Sequence, residues 1–157
     1  SSDLFSLSFA IKLCEMFDNE SIKVNLKWPN DILFGSKKLI GFLPRVITRG
    51  RENIYLRVGI GMNVLNRTPK EGIALCEIVN TKHICEYFWT AQILKAIHEA
   101  INCNDRREYI IEEANKYLTK KFLPKGYSSN EWVIRNIDEK GNLRIFNETC
   151  KKTIKRF

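Results

Sequence analysis

Residues 54–64 alternate between apolar residues and polar residues or glycines, and this pattern restricts the fold more than any other feature of the chain. The apolar set consists of Ile54, Leu56, Val58, Ile60, Met62 and Val64. A period of two predicts a β-strand whose apolar face packs on the core. The other face carries Gly59, Gly61 and Asn63, and glycine within a strand often marks the close approach of a ligand or of another backbone. We therefore expect a ligand to lie flat on the glycine face of this strand.

A second strand is expected to end in a cluster of polar residues. Residues 22–28 also alternate, with Lys27 on the polar face and Trp28 on the apolar face. Pro29 cannot donate to a ladder and favours an extended residue before it, so Asn30-Asp31 should turn back beside Lys27. A cation and two polar side chains next to a rigid bend are typical of a ligand site. Trp28 is expected to be a core ring beneath that site.

The remaining patterns predict an α+β fold. Residues 4–17 are apolar on almost all sides, which indicates a helix buried against a sheet. Residues 38–46 are apolar on both faces, and the polar turn at residues 48–53 would join them to the glycine strand as a hairpin. Amphipathic helices are expected at residues 84–101 and 110–118, and short strands at residues 131–137 and 143–146. No stretch reaches the roughly 18 apolar residues of a membrane span.

Three segments of the first half, taken in order, resemble the catalytic core of the biotin protein ligases. They are Lys27-Trp28-Pro29-Asn30-Asp31, Lys37-Lys38-Leu39-Ile40-Gly41-Phe42-Leu43 and Gly59-Ile60-Gly61-Met62-Asn63-Val64. The resemblance extends over residues 4–64 and returns weakly at residues 137–143. It implies a mixed β-sheet packed by helices at residues 1–122, as part of a catalytic domain. It also implies a small SH3-like β module at residues 127–157, which could be truncated.

The resemblance implies an ATP-dependent biotin–protein ligase, with ATP and biotin as substrates and Mg²⁺ accompanying ATP. In the first step of that reaction, the biotin carboxylate attacks the α-phosphate of ATP to form biotinyl-5′-AMP. In the second step, a lysine of a carrier domain attacks this adenylate. The implied partner is therefore the biotin carboxyl carrier protein of acetyl-CoA carboxylase, and the implied location is the cytoplasm.

The resemblance also implies roles for particular residues. Lys27 is expected to be the catalytic cation, since a protonated amine neutralises the repulsion between carboxylate and phosphate. Contacts with the bound substrates are expected from Asn30, Asp31, Gly41, Gly59, Gly61 and Asn63. Asp31 could also assist the Mg²⁺ ion that accompanies ATP, but a structural role is favoured for it, whereas Asn30 could equally orient the nucleotide or hold the bend. No metal site is expected in the chain itself.

Two features depart from the pattern of the biotin protein ligases. The glycine- and arginine-rich loop that wraps the adenylate, and the residues that contact the biotin ring, would precede the first helix and are absent from this sequence. Pro44-Arg45 occupies the place where these ligases commonly have an acidic residue. Without the loop the adenylate would be open to water. We therefore expect residues 1–157 alone to have little or no ligase activity.

Two other functions stay open. A lipoate or octanoyl ligase or transferase would have the same fold. The net charge is +8, and residues 116–157 contribute +7 of it through eleven Lys or Arg and four Asp or Glu, which would suit a non-catalytic basic binding module. No recognition helix, zinc module or platform of aromatic and basic residues is apparent, so nucleic acid is not the expected partner. Five scattered cysteines without a C-x-x-C pair favour reduced thiols, which agrees with a cytoplasmic protein.

Overall fold

A helix that is buried on nearly every side forms the centre of the protein. In the computed structural model, which describes residues 2–50, 52–103 and 106–155, this helix is α1 and spans Ser2–Asn19. Its fully buried large side chains are Leu7, Phe9, Ile11, Leu13 and Phe17. The helix contacts the first sheet and two later helices. The predicted buried helix is therefore confirmed, because a helix that is apolar all round needs neighbours on several sides.

The first sheet contains four strands in the order β1-β2-β3-β4, and each neighbouring pair is antiparallel. The strands are β1 (Asn25–Lys27), β2 (Asp31–Phe34), β3 (Lys37–Arg49) and β4 (Glu52–Met62). The long β3–β4 hairpin is confirmed. Gly50 in its turn has a φ of 63°, a left-handed conformation that glycine adopts without steric cost. β1 is shorter than the strand predicted at residues 22–28. Ile22 and Val24 are buried, as the alternation predicts, but they lie before Asn25, the first paired residue.

The prediction that residues 38–46 are apolar and covered on both faces is correct only for their first part. Ile40 is fully buried, whereas Leu43 is 52% exposed. β2 pairs with β3 only as far as Gly41, so β3 has a free edge beyond that point. Pro44 lies in this stretch, where a missing backbone N–H leaves no ladder bond unmade.

Two amphipathic helices follow the first sheet, close to the predicted ranges. They are α2 (Glu86–Asn102) and α3 (Arg107–Tyr117), and both pack on α1. Trp89 of α2 stacks on Phe17 with ring centroids 5.3 Å apart, so it is a core ring. The loop before α2 contains two short 3₁₀ turns, Leu75–Glu77 and Thr81–His83. In the described part of the chain, no helix is both long and apolar enough to cross a membrane.

The second sheet is an antiparallel meander of three strands. They are β5 (Val133–Ile137), β6 (Leu143–Phe146) and β7 (Lys151–Ile154). The sequence does not predict β7, because two lysines and a threonine precede its one apolar residue. The buried residues Ile134, Ile137, Leu143 and Ile145 belong to the same hydrophobic core as α1.

The α+β fold class is confirmed by these layers of helices and sheets. Parallel pairing among the described residues is limited to two isolated bridges, Leu26 with Leu118 and Lys38 with Gly72. The three-stranded second sheet is compatible with an SH3-like module. Its status as a separate module at residues 127–157, beside a catalytic domain at residues 1–122, stays a prediction.

Candidate active site

The bend after β1 brings the polar residues of the first motif together. Lys27 and Asp31 are Cα partners in the β1–β2 ladder, so the chain turns back as predicted. Trp28 is 9% exposed and donates from Nε1 to the carbonyl oxygen of Gly141 at 3.0 Å. The tryptophan is therefore the core ring that the alternation predicts, and it joins the bend to the turn between β5 and β6.

Asn30 fastens the bend to β3. Its Nδ2 donates to the carbonyl oxygen of Phe42 at 2.6 Å, and the Phe42 N–H donates back to the Asn30 carbonyl at 3.1 Å. This reciprocal pair extends the β2–β3 contact one position beyond the pair of Asp31 and Gly41. Of the two roles that stayed open for Asn30, support of the bend is the one that this geometry shows.

The carboxylate of Asp31 lies between two lysine ammonium groups. Lys38 Nζ is 2.7 Å from Oδ1, and Lys27 Nζ is 3.6 Å from Oδ2. The Asp31 side chain is 16% exposed, whereas both lysine side chains are more exposed. Lys27 also lies over the ring of Phe122, with Nζ 5.6 Å from the centroid. The site therefore has one carboxylate for two cations, and this excess of positive charge suits an anionic ligand.

Gly41 makes room for the contact between Lys38 and Asp31. A Cβ atom at position 41 would lie 2.5 Å from Lys38 Cε and 2.6 Å from Lys38 Nζ. The lysine side chain therefore folds across the strand at the one place where a side chain is missing. Alanine at this position would displace the flexible end of Lys38.

A groove with a volume of about 570 Å³ opens on the glycine face of the β3–β4 hairpin. Its floor consists of two rungs of the ladder, Gly41 opposite Gly61 and Leu43 opposite Gly59. It is lined by Asn30, Lys38, Leu39, Gly41, Phe42, Leu43, Gly59, Gly61, Met62, Asn63 and Asn66. A Cβ at Gly61 would meet nothing within 4 Å. Packing within the protein therefore does not explain why this position is glycine.

Asn63 shapes one wall of the groove. Its Nδ2 donates to the carbonyl oxygen of Lys38 at 3.3 Å, and its Oδ1 accepts a hydrogen bond from Asn66 Nδ2 at 3.1 Å. The side chain is thus engaged with the start of β3 and with the loop after β4. We infer that Asn63 orders the wall next to Lys38.

The structure brings five of the seven sequence-predicted site residues to the groove, namely Asn30, Gly41, Gly59, Gly61 and Asn63. Lys27 and Asp31 do not line it and connect to it through Lys38. Sequence reasoning did not select Lys38, although the residue lies in the second motif. The contact depends on the register between β2 and β3, and β2 was not predicted.

Other reactive groups lie outside this site. All five cysteines are free, and burial raises the pKa of the Cys14 thiol, which disfavours a thiolate there. In residues 2–50, 52–103 and 106–155, no three His, Cys, Asp or Glu side chains come together as metal ligands would.

The first half of the chain matches a known family. A model of the Biotin/lipoate A/B protein ligase family matches residues 3–63. This range contains all of α1 except Ser2, the bend, the contact between Lys38 and Asp31, and the glycine rungs. The match therefore covers the whole floor of the groove and the cation beside it.

Solved structures extend the likeness in fold over nearly the whole chain. The apo biotin protein ligase from Aquifex aeolicus is 24% identical, with a TM-score of 0.77 over 97% of this chain and 71% of that one. The same ligase in complex with biotin and ATP is 24% identical, with a TM-score of 0.75 over 97% of this chain and 68% of that one. A biotin protein ligase-like protein of unknown function from a Silicibacter species is 11% identical, with a TM-score of 0.73 over 96% and 70% of the two chains. Residues 3–63 are thus similar to the Biotin/lipoate A/B protein ligase family, and the fold of the chain is that of the biotin protein ligases.

Proposed function

We propose that this protein is an ATP-dependent biotin–protein ligase, which forms biotinyl-5′-AMP and transfers biotin to a lysine of a carrier domain. The observation that carries the proposal is the groove over the two glycine-containing rungs, with Lys38 among its lining residues. A floor in which three of the four residues are glycine suits a flat ligand. A cation beside that floor suits a ligand that contains a phosphate.

In the first step, a carboxylate oxygen of biotin attacks the α-phosphorus of ATP, the bond to the bridging oxygen breaks, and pyrophosphate leaves. Two anions must approach each other, so a fixed cation lowers the barrier by neutralising their repulsion. Lys38 Nζ is held by Asp31 at the edge of the groove before the ligand arrives. This arrangement supplies the cation without reorganisation at the moment of reaction.

Lys27 has a supporting place in the proposal, although the sequence marks it as the catalytic cation. Its ammonium group contacts Asp31 and the ring of Phe122, and it is not among the lining residues of the groove. Because both ammonium groups contact Asp31, Lys27 helps to fix the carboxylate that holds Lys38 at the edge of the groove. We therefore assign ligand contact to Lys38 and positioning to Lys27 and Asp31.

Mg²⁺ would enter with ATP as part of the substrate. Both carboxylate oxygens of Asp31 face ammonium groups, so Asp31 does not fit the role of a metal ligand in this arrangement. Oxygen ligands for Mg²⁺ would come from the phosphates and from water.

In the second step, the amine of an acceptor lysine attacks the acyl carbon of the adenylate. The amide bond forms, the bond from the acyl carbon to the phosphate oxygen breaks, the amine proton is released and AMP leaves. The proposed acceptor is the biotin carboxyl carrier protein of acetyl-CoA carboxylase. The five free thiols favour the reducing cytoplasm as the proposed location.

Biotin is proposed over lipoate because three motifs resemble the biotin protein ligases and because a ligase of the same fold is solved in complex with biotin and ATP. The family itself includes both kinds of ligase. A lipoate or octanoyl ligase is therefore the second candidate, and the same assay separates the two.

Residues 1–157 alone are expected to have little or no activity, so the assay uses the full-length protein, meaning these residues together with any that precede them in the natural sequence. It supplies ATP with either biotin or lipoate and measures pyrophosphate release and the acyl-adenylate. We expect pyrophosphate and adenylate with biotin only, and labelling of a carrier domain when that is added. The Lys38→Met variant is the control, because it should form adenylate more slowly if the reaction takes place at the groove. Adenylate from lipoate but not from biotin would overturn the choice of substrate. No response to either acid would overturn the ligase proposal and favour a binding module.

A further inference from the structure

An arginine rung continues the floor of the groove along the β3–β4 hairpin. Arg45 and Arg57 are direct Cα partners across the two strands. The rung on one side is Leu43 opposite Gly59, which belongs to the groove, and the rung on the other side is Ile47 opposite Tyr55. Alternation along each strand places all these residues on the glycine face.

Nothing within the described part of the chain neutralises the arginine rung. Both arginines are exposed, and neither takes part in an ion pair among residues 2–50, 52–103 and 106–155. Like charges directly opposite each other destabilise a sheet. The adjacent Leu43 is 52% exposed and Tyr55 is 51% exposed. Two guanidinium groups between exposed apolar side chains are therefore maintained at a cost to the hairpin.

The spacing places this rung close to the groove. Residues two apart along a strand are about 6.6 Å apart, so Arg45 lies about 13 Å along β3 from Gly41. A lysine side chain that enters the groove from a folded domain must bring the surface around it over the hairpin. The arginine rung would contact that surface next to the acceptor lysine.

We propose that the arginine rung, with Leu43 and Tyr55, is the docking surface for a protein substrate that carries carboxylates next to its acceptor lysine. The inference rests on the proposed function and names where the acceptor of that same site binds. Arginine and tyrosine are enriched at the energetic centres of protein interfaces. Arginine binds carboxylates in a bidentate geometry, which fixes orientation as well as adding attraction.

The chemistry of the surface disfavours a second copy of this chain as the occupant. In a symmetric pair, the same patch would meet itself. Arg45 and Arg57 of each copy would then face two further arginines without a carboxylate between them. An acidic flank on another protein provides the missing charge, and the exposed leucine and tyrosine provide contacts for apolar side chains beside it.

The test uses the full-length protein with a purified biotin carboxyl carrier domain and separates adenylate formation from transfer. Arg45→Glu and Arg57→Glu should each raise the KM for the carrier domain about tenfold or more, with the rate of adenylate formation unchanged. Lys82→Glu, the same charge change at an exposed residue of the second 3₁₀ turn, should leave the KM within about twofold of the parent protein. A carrier domain in which lysine replaces an acidic residue beside the acceptor lysine should restore the KM of Arg45→Glu. The same carrier domain should not lower the KM of the parent protein.

Each outcome decides between specific alternatives. If both arginine variants keep the parent KM for the carrier domain, the docking proposal is wrong while the ligase proposal stands. If the parent protein forms no adenylate, the proposed function itself fails. Misfolding would lower the rate of adenylate formation as well. The charge reversals remove like-charge repulsion, so the melting temperature should stay the same or rise.

Discussion

The ammonium nitrogen of Lys38 lies 2.7 Å from Oδ1 of Asp31, and this contact joins two motifs that the sequence separates. Asp31 ends the bend that begins with Lys27, whereas Lys38 is the second residue of β3 and lies beside the groove. The side chain reaches across Gly41, where a Cβ atom would obstruct it. A cation is thus held in place at the edge of a floor that consists mostly of glycine.

Replacing Lys38 with methionine should reduce the rate of adenylate formation more than replacing Lys27. Loss of one preorganised charge-stabilising group costs roughly 3 kcal/mol, or about a hundredfold or more in rate. Lys27→Met should cost about tenfold, because it acts through Asp31. Lys37→Met is the matched control, since this exposed neighbour does not line the groove. A larger loss for Lys27→Met in single-turnover kinetics would return the catalytic role to Lys27.

Gly61→Val should preserve the fold and abolish binding of the nucleotide. Space around Gly61 is open in the protein, and valine favours a strand over glycine, so unfolding free energy should stay the same or rise by about 0.5–1 kcal/mol. The isopropyl group would occupy the floor where the ligand lies. Calorimetric titration with ATP and thermal melting measure both effects. Unchanged ATP affinity in a stable Gly61→Val variant would show that the ligand does not lie on this rung.

Tyr117→Phe should lower stability in a way that depends on pH. The Tyr117 hydroxyl donates to Asp18 Oδ2 at 2.8 Å, and Lys23 donates to Oδ1 at 2.9 Å. Burial works to raise the pKa of Asp18, but these hydrogen bonds outweigh it and lower the pKa. A lowered pKa stabilises the fold above the unfolded value of about 3.9, and this gain is lost as the pH falls through the folded value.

At pH 7, Tyr117→Phe should therefore cost about 1 kcal/mol, and the difference from the parent should shrink in strong acid. Burial and the bond to Asp18 raise the pKa of Tyr117 itself. The parent protein should thus lose stability as the pH rises above about 10, whereas the variant lacks this loss. Urea unfolding at a series of pH values measures both the acidic and the alkaline change in stability. A cost that does not change between pH 7 and pH 3 would show that Asp18 is not involved.

Trp28→Phe should loosen the bend from the second sheet. The indole N–H donates to the Gly141 carbonyl, and a buried acceptor left without its partner costs about 1–3 kcal/mol. Trp132→Phe makes the same truncation at an equally buried ring outside the motif. In chemical denaturation, both variants should be less stable, but only Trp28→Phe should also weaken ATP binding. If the two variants bind ATP with equal affinity, the position of the bend does not affect the site.

The sequence predicts those parts of the fold in which a period extends over many residues. The β3–β4 hairpin contains a long alternating strand, and α1 is apolar on almost every side over its whole length, so burial alone predicts both. β2 escapes prediction because it has only four residues and its two central residues, Ile32 and Leu33, are both buried. A pair of adjacent buried residues gives no alternation, so nothing distinguishes it from a turn.

The failure to predict β2 also limits prediction of the site. Glycines on one face of β4 indicate an open floor without knowledge of the neighbouring strands. The position of Lys38 depends on the register between β2 and β3, which pairs Asp31 with Gly41. Without β2, the nearest cation to Asp31 along the chain is Lys27, and sequence reasoning therefore selects it. The arginine rung likewise becomes visible only when the hairpin register sets Arg45 opposite Arg57.

The most direct test of the central claim maps where the adenylate binds. Backbone amide resonances of the isotope-labelled full-length protein would be followed by NMR during titration with a non-hydrolysable biotinyl-adenylate analogue. We predict the largest shifts at Lys38, Gly41, Gly59 and Gly61, with little change in β5, β6 and β7. Shifts confined to the second sheet, or saturation without any change at the three glycines, would contradict the assignment of this groove as the active site.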